Sequence, residues 1–244
     1  MSENNLTFEL AYLYPKLLNI YGDRGNVLTL LSRCKTRGII LNISTIGLGE
    51  KVDPEKYDIY FMGGGQDDQQ VLVSDDLQIK KKELILAIEN NAVFLTICGG
   101  YQLLGKYYKT YSGFELKGID ALDLYTTGGN KRMIGNVVCE EIESKKTIVG
   151  FENHSGKTYL GQSLKPLAKV LRGSGNNGED GFEGVKYKNV FGTYLHGSLL
   201  PKNPHLVDKI IRLALERRGI KIPEKEIDDK LEILAHKKAE KLKY

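Results

Sequence analysis

The sequence predicts an α/β fold built on a mainly parallel central sheet with some antiparallel additions. Two observations carry that expectation. Short β-like runs alternate with helical patterns through the first half of the chain, the βαβα order of a parallel sheet. Within that half, residues 92–97 (Ala-Val-Phe-Leu-Thr-Ile) are apolar except for one Thr, as expected of a central strand covered on both faces.

Taken in order, β-like runs are expected at 6–13, 39–44, 58–62 and 92–97, with helices at 26–37 and 75–90 between them. After Gly105 the pattern turns to β-rich segments separated by glycines, including 133–142, 147–151 and 189–195, read as continuing the sheet with some antiparallel additions. Helix returns at 204–218, where Leu206, Ile210, Ile211 and Leu213 recur near helical spacing. A charged helix at 224–243 carries Ile227, Leu231 and Leu234 as a thin apolar stripe, read as packing on the domain edge or on a partner. With no internal repeat and no clear linker, 1–220 are expected to form one domain and 221–244 its C-terminal helix.

The chain has 244 residues and 41% hydrophobic content, enough for a substantial core. Its 35 basic and 31 acidic residues nearly balance, which argues against nucleic acid as a partner, and much of the basic excess sits at 237–243. No apolar run is long enough to span a bilayer, and residues 1–5 are polar, so a cytoplasmic protein is expected. Three cysteines without metal-like spacing indicate neither a disulfide framework nor a metal site.

Cys98 directly follows the buried strand and is followed by Gly99-Gly100 and a helical pattern. That strand, sharp turn and helix is the setting of a nucleophile elbow, and a helix N-terminus favours the thiolate. A packing cysteine needs no glycine pair; Cys34, on a helix face, and Cys139, in a strand, have none and read as core. Gly63-Gly64-Gly65 follows the 58–62 strand, so its backbone N–H groups, with that of Gly99, form a candidate oxyanion hole. No Lys-Ser or Lys-Thr follows these glycines, which argues against a phosphate cradle. The G-x-G-x-x-G at Gly173, Gly175 and Gly178 lacks a strand, turn, helix context and reads as a surface loop. A cysteine nucleophile needs a base. His196 ends a β-run, where α/β active sites collect, but His154 competes on the same ground; His205 and His236 read as surface residues.

The strings LTICGGYQLLG around Cys98, GTYLHG around His196 and GFENH at 150–154 resemble the triad-type (class I) glutamine amidotransferases, in the cobyric-acid-synthase-like branch. YGDRGN at 21–26, GGGQDDQQ at 63–70, KRMIGN at 131–136 and GTYLHGSLLPKNP from Gly192 are similar to the GatD-type subunits of lipid II isoglutaminyl synthase. The similarity runs from about 6 to 204. It implies a flavodoxin-like domain in which Cys98 attacks the side-chain amide of L-glutamine, His196 handles protons, and backbone N–H groups near Gly64 and Gly99 hold the oxyanion. It also implies that Arg132 binds the substrate α-carboxylate and that Gln102 contacts substrate.

The resemblance implies no cofactor in this subunit. ATP and Mg belong to a MurT-like Mur ligase subunit, which reaches lipid II and converts its D-glutamate to D-isoglutamine. One departure stands out: many triad amidotransferases carry a glutamate two residues after the histidine, whereas this chain has Ser198. The orienting acid must come from elsewhere in the chain or from the partner, and the partner is the expectation adopted. Other readings are ammonia supply to another acceptor such as cobyrinic acid, a cysteine hydrolase of different specificity, and a silent binding module on the same fold.

Overall fold

The computed structural model describes residues 6–222 and 225–242; residues 1–5, and the two ends of the helix expected at 224–243, lie outside them. The first sheet takes β1 (Thr7–Leu13), β2 (Ile40–Ile46), β3 (Ile59–Met62) and β4 (Val93–Ile97), linked by α1 (Arg24–Thr36) and α2 (Asp67–Glu89). α3 (Gly99–Leu103) follows β4 at once. β5 (Tyr107–Lys109), β6 (Glu115–Lys117), β7 (Leu124–Glu141), β8 (Thr147–Leu160), β9 (Ala168–Arg172) and β10 (Phe182–Glu183) form the second sheet. β11 (Val185–Tyr187) and β12 (Val190–Thr193) return to the first, and α4 (Pro204–Arg217) and α5 (Lys230–Lys241) close the chain.

The first sheet runs β11-β12-β4-β3-β1-β2, parallel throughout except for β11 at its edge. Every residue of β3 and β4 is buried, which explains their unbroken apolar runs, and Tyr60 stacks on Phe94 across the pair at 4.3 Å. The parallel register brings Met62, Thr96 and Gly192 level, so the turns after β3, β4 and β12 share one carboxyl edge. That edge is where α/β folds collect ligands.

The antiparallel strands do more than extend this sheet. Only β11 does so; the others make a separate, mostly antiparallel sheet around the long β7–β8 hairpin. Glycines and polar residues at 125–132 hid the first half of β7, and the pairing slips between Gly128 and Met133. α2 begins eight residues before its apolar pattern does, at a turn where the Gln69 side chain accepts the Gln66 N–H at 3.3 Å.

α5 docks through polar contacts and not through its apolar stripe. His236 lies between Thr147 Oγ1 at 2.8 Å and the Lys202 carbonyl at 2.7 Å, and Arg172 donates to the Glu240 carbonyl at 2.8 Å. Leu231 and Leu234 are left exposed. His236 is therefore no free surface group, and burial pushes the half-buried His205 down to about 4. Cys34 and Cys139 are core, as expected. The glycine-rich segment at 173–178 is a loop, but an inward one: Asn176 and Asn177 are buried, and the Ser174 and Gly175 N–H groups donate to the buried Glu152 carboxylate.

Candidate active site

β4 ends in a turn whose first residue, Cys98, has φ 51° and ψ −108°, a region that non-glycine residues avoid. The strain is held by a closed frame: Cys98 N donates to the Thr193 carbonyl at 2.8 Å, and its own carbonyl accepts from Gln102 N at 2.9 Å. Gly100 admits the turn because a Cβ there would lie 2.6 Å from the Met62 carbonyl oxygen. The side chain emerges 6% exposed at the floor of a cavity of about 390 Å³, which Arg132, Gln102 and His154 also line.

His196, two residues beyond Tyr194 after β12, is fully buried beside this turn. Gly64 separates the two: a Cβ on it would stand 2.7 Å from His196 Cε1 and 3.2 Å from Cys98 Cβ. His196 Nδ1 lies 3.1 Å from Asp23 Oδ1, with neither side chain exposed. Nε2 has no hydrogen-bond partner among the described residues, and Cys98 is close enough to act on the ring. Burial opposes charging the ring, but the Cys98 thiolate and the Asp23 carboxylate outweigh it and lift His196 to about 10.

Of the two sources left open for an acid at His196, this chain itself places one, Asp23, in contact with the ring. Asp23 sits in YGDRGN, 173 positions from His196, and only the fold brings them together. Ser198, in the place of the usual glutamate, instead donates to the Gly22 carbonyl at 2.6 Å and fixes the loop that carries Asp23.

Asp23 also changes the reading of the glycine loop. Its Oδ2 accepts the Gly64 N–H at 2.8 Å, so Gly64 spaces the site and does not offer an oxyanion donor. Among the described residues the N–H groups of Gly65 and Gly99 have no acceptor and remain as candidate donors. Gln102 is anchored by its Nε2, which donates to Tyr194 Oη at 2.9 Å, leaving Oε1 without a partner.

His154, the competing base, faces the same cavity in a different state. Burial pushes it down to about 4, its Nδ1 lies 2.8 Å from the Gly156 carbonyl, and its ring stacks on Tyr194 at 3.6 Å. It is neutral near pH 7 and is not the group that abuts Cys98. Arg132 lies where the β7–β8 register slips; Nε donates to Asn153 Oδ1 at 2.5 Å and Nη2 to Tyr21 Oη at 3.2 Å. Tyr21, marked in the sequence only as the first residue of YGDRGN, stands edge-on to His196 at 5.1 Å and so links that ring to the arginine.

A larger cavity of about 1140 Å³ lies between α4 and the segment leading into α5. Its charged groups are mostly paired with each other, as in Lys209–Glu141 and Arg37–Asp208, and no cysteine is among its described lining residues.

Residues 9–204 match the CobB/CobQ-like glutamine amidotransferase domain. Over 218 residues the chain is 46% identical to the GatD subunit of lipid II isoglutaminyl synthase (glutamine-hydrolyzing) from Staphylococcus aureus, covering 89% of this chain and 88% of that one. The Streptococcus pneumoniae GatD subunit is 41% identical, with 88% and 84% covered. A crystal structure of a glutamine amidotransferase superposes with a TM-score of 0.58 at 16% identity, over 84% of this chain and 98% of that one, a likeness of fold. By matched domain and by identity along nearly its whole length, the chain belongs to the CobB/CobQ-like glutamine amidotransferase family, beside the GatD subunits.

Proposed function

We propose that the chain is the glutaminase subunit of a lipid II isoglutaminyl synthase. The observation that carries the chemistry is the buried line from Asp23 through His196 to the Cys98 elbow. Cys98 Sγ attacks the side-chain carbonyl carbon of L-glutamine after giving its proton to His196. Asp23 holds the ring by Nδ1 so that Nε2 faces the sulfur, and its charge favours the imidazolium. The Gly65 and Gly99 N–H groups take the oxyanion. His196 returns the proton to the departing nitrogen, ammonia leaves, and a water deprotonated by His196 cleaves the γ-glutamyl thioester to glutamate and free Cys98. Arg132 takes the α-carboxylate, for which a guanidinium offers two parallel donors.

The two GatD relatives are subunits of lipid II isoglutaminyl synthases, and that supports the acceptor: the stem-peptide glutamate of lipid II, amidated to isoglutamine. A MurT-like Mur ligase subunit with ATP and Mg would activate that carboxylate, and this chain would deliver the ammonia from the cytoplasmic side. Among the described residues no helix is long and apolar enough to cross a membrane, and lipid II would be reached through the partner.

The test is glutamate release from L-glutamine by the chain, with and without the ligase partner, for wild type and Cys98→Ala. Release by wild type that falls to background in Cys98→Ala supports the site. Full release by Cys98→Ala, or none from either wild-type preparation, removes it. Lipid II amidation by the complex with ATP and Mg then tests the acceptor.

A further inference from the structure

The Gly65 and Gly99 N–H groups answer the oxygen of a carboxamide, but the nitrogen of that carboxamide carries two hydrogens of its own and needs an acceptor. Gln70, the fourth residue of α2, lines the Cys98 cavity and is 3% exposed. Its side chain turns back from the helix to the glycine loop, where Nε2 donates to the Gly65 carbonyl at 3.1 Å. A carbonyl can only accept, so this bond fixes which end of the side-chain amide is which. The other end, Oε1, is buried with no partner among the described residues. A buried acceptor left bare is costly, and a donor entering the cavity removes that cost.

Position singles out this acceptor. Gly99 follows the nucleophile, and a Cβ on it would lie 2.8 Å from Gln70 Cδ and 3.1 Å from Oε1. Oε1 thus stands beside one candidate oxyanion donor, while its own amide is tied to the residue that carries the other. Gln102 Oε1 is also bare, but that amide packs on the β8 wall, where a Cβ on Gly156 would lie 2.4 Å from its Nε2. Beside the elbow the chain therefore places donors and a lone acceptor side by side, the complement of C=O and NH₂ on one carbon. A carboxylate presents two bare oxygens, and the second would face Oε1 with no hydrogen between them.

Resting on the glutaminase reading, we propose that Gln70 Oε1 accepts a hydrogen bond from the side-chain NH₂ of the substrate. Gln70 is then a specificity residue that separates amide from acid: it holds glutamine by the nitrogen that will leave, and it disfavours the glutamate that remains.

The experiment measures glutamate formation from L-glutamine and from L-glutamate γ-methyl ester, whose leaving oxygen carries no hydrogen, by the full chain together with its ligase partner. Both substrates give the same γ-glutamyl enzyme, so the ratio of their kcat/KM values reads the leaving group alone. Gln70→Met and Gln70→Glu both lose the donor to Gly65, which should slow both substrates alike; only Gln70→Glu keeps an acceptor. Gln70→Met should therefore lower the amide-to-ester ratio by about 10-fold, as for one lost hydrogen bond, while Gln70→Glu keeps at least the wild-type ratio. In wild type, which needs no substitution, L-glutamate should inhibit with a Ki at least about 10-fold above the KM for glutamine, and Gln70→Met should narrow that gap. An unchanged ratio in Gln70→Met means that Gln70 only shapes the glycine loop and overturns the assignment, as does an equal fall in Gln70→Glu, a fall confined to Gln102→Met, or glutamate that binds wild type as well as glutamine does. Wild type that hydrolyses neither substrate defeats the glutaminase reading itself, a separate failure.

Discussion

Asp23 binds two partners with two oxygens: Oδ1 meets His196 and Oδ2 takes the Gly64 N–H. Its loss should therefore show in the titration of the base. Removing a carboxylate that favours the imidazolium lowers the His196 pKa from about 10, so the charged form is lost at lower pH. Asp23→Asn should cut kcat about 100-fold or more and move the alkaline limb of its pH profile downward, whereas an unmoved limb would show that Asp23 does not act on His196. Gly64 makes a steric prediction. Alanine there places a Cβ 2.7 Å from the buried His196 Cε1, so Gly64→Ala should reduce turnover about 100-fold and also lower the melting temperature. Cys98 was legible in the sequence because its turn needs flanking glycines, and His196 because it ends a strand. Asp23 was not: its partner lies 173 residues away, and nothing local distinguishes it from an ordinary helix-start aspartate.

Among the elements, β3 and β4 could be read from their unbroken apolar runs, since both faces are covered. The start of α2 and the first half of β7 could not, because polar first-turn residues and a register slip at Gly128 erase the periodicity. The short β10 carries a consequence for stability. Glu183 is wholly buried, accepts from Thr193 Oγ1 at 2.6 Å and Tyr194 N at 2.7 Å, and is pushed by burial up to about 7. A carboxyl that holds its proton more tightly folded than unfolded stabilises most at low pH and loses that contribution as pH rises through its folded pKa. Unfolding free energy should fall between about pH 4.5 and 7, by at most roughly 3 kcal/mol. Glu183→Gln keeps an acceptor for both donors and should flatten that slope. Denaturant midpoints at pH 5 and 8 measure it, and an equal slope in the variant would contradict the assignment.

For the whole molecule, the parallel sheet brings three strand ends to one edge, and the second sheet supplies Arg132, Asn153 and His154 as the facing wall of the cavity. Cys98, His196 and Asp23 thus meet at one buried point of this chain. The most direct measurement is the mass of the Cys98 peptide after acid quench of a single turnover with L-glutamine. The account predicts a γ-glutamyl adduct on Cys98 that forms and decays with glutamate release, and accumulates less in Asp23→Asn. Glutamate release with no adduct on Cys98, or an adduct on another residue, would contradict it.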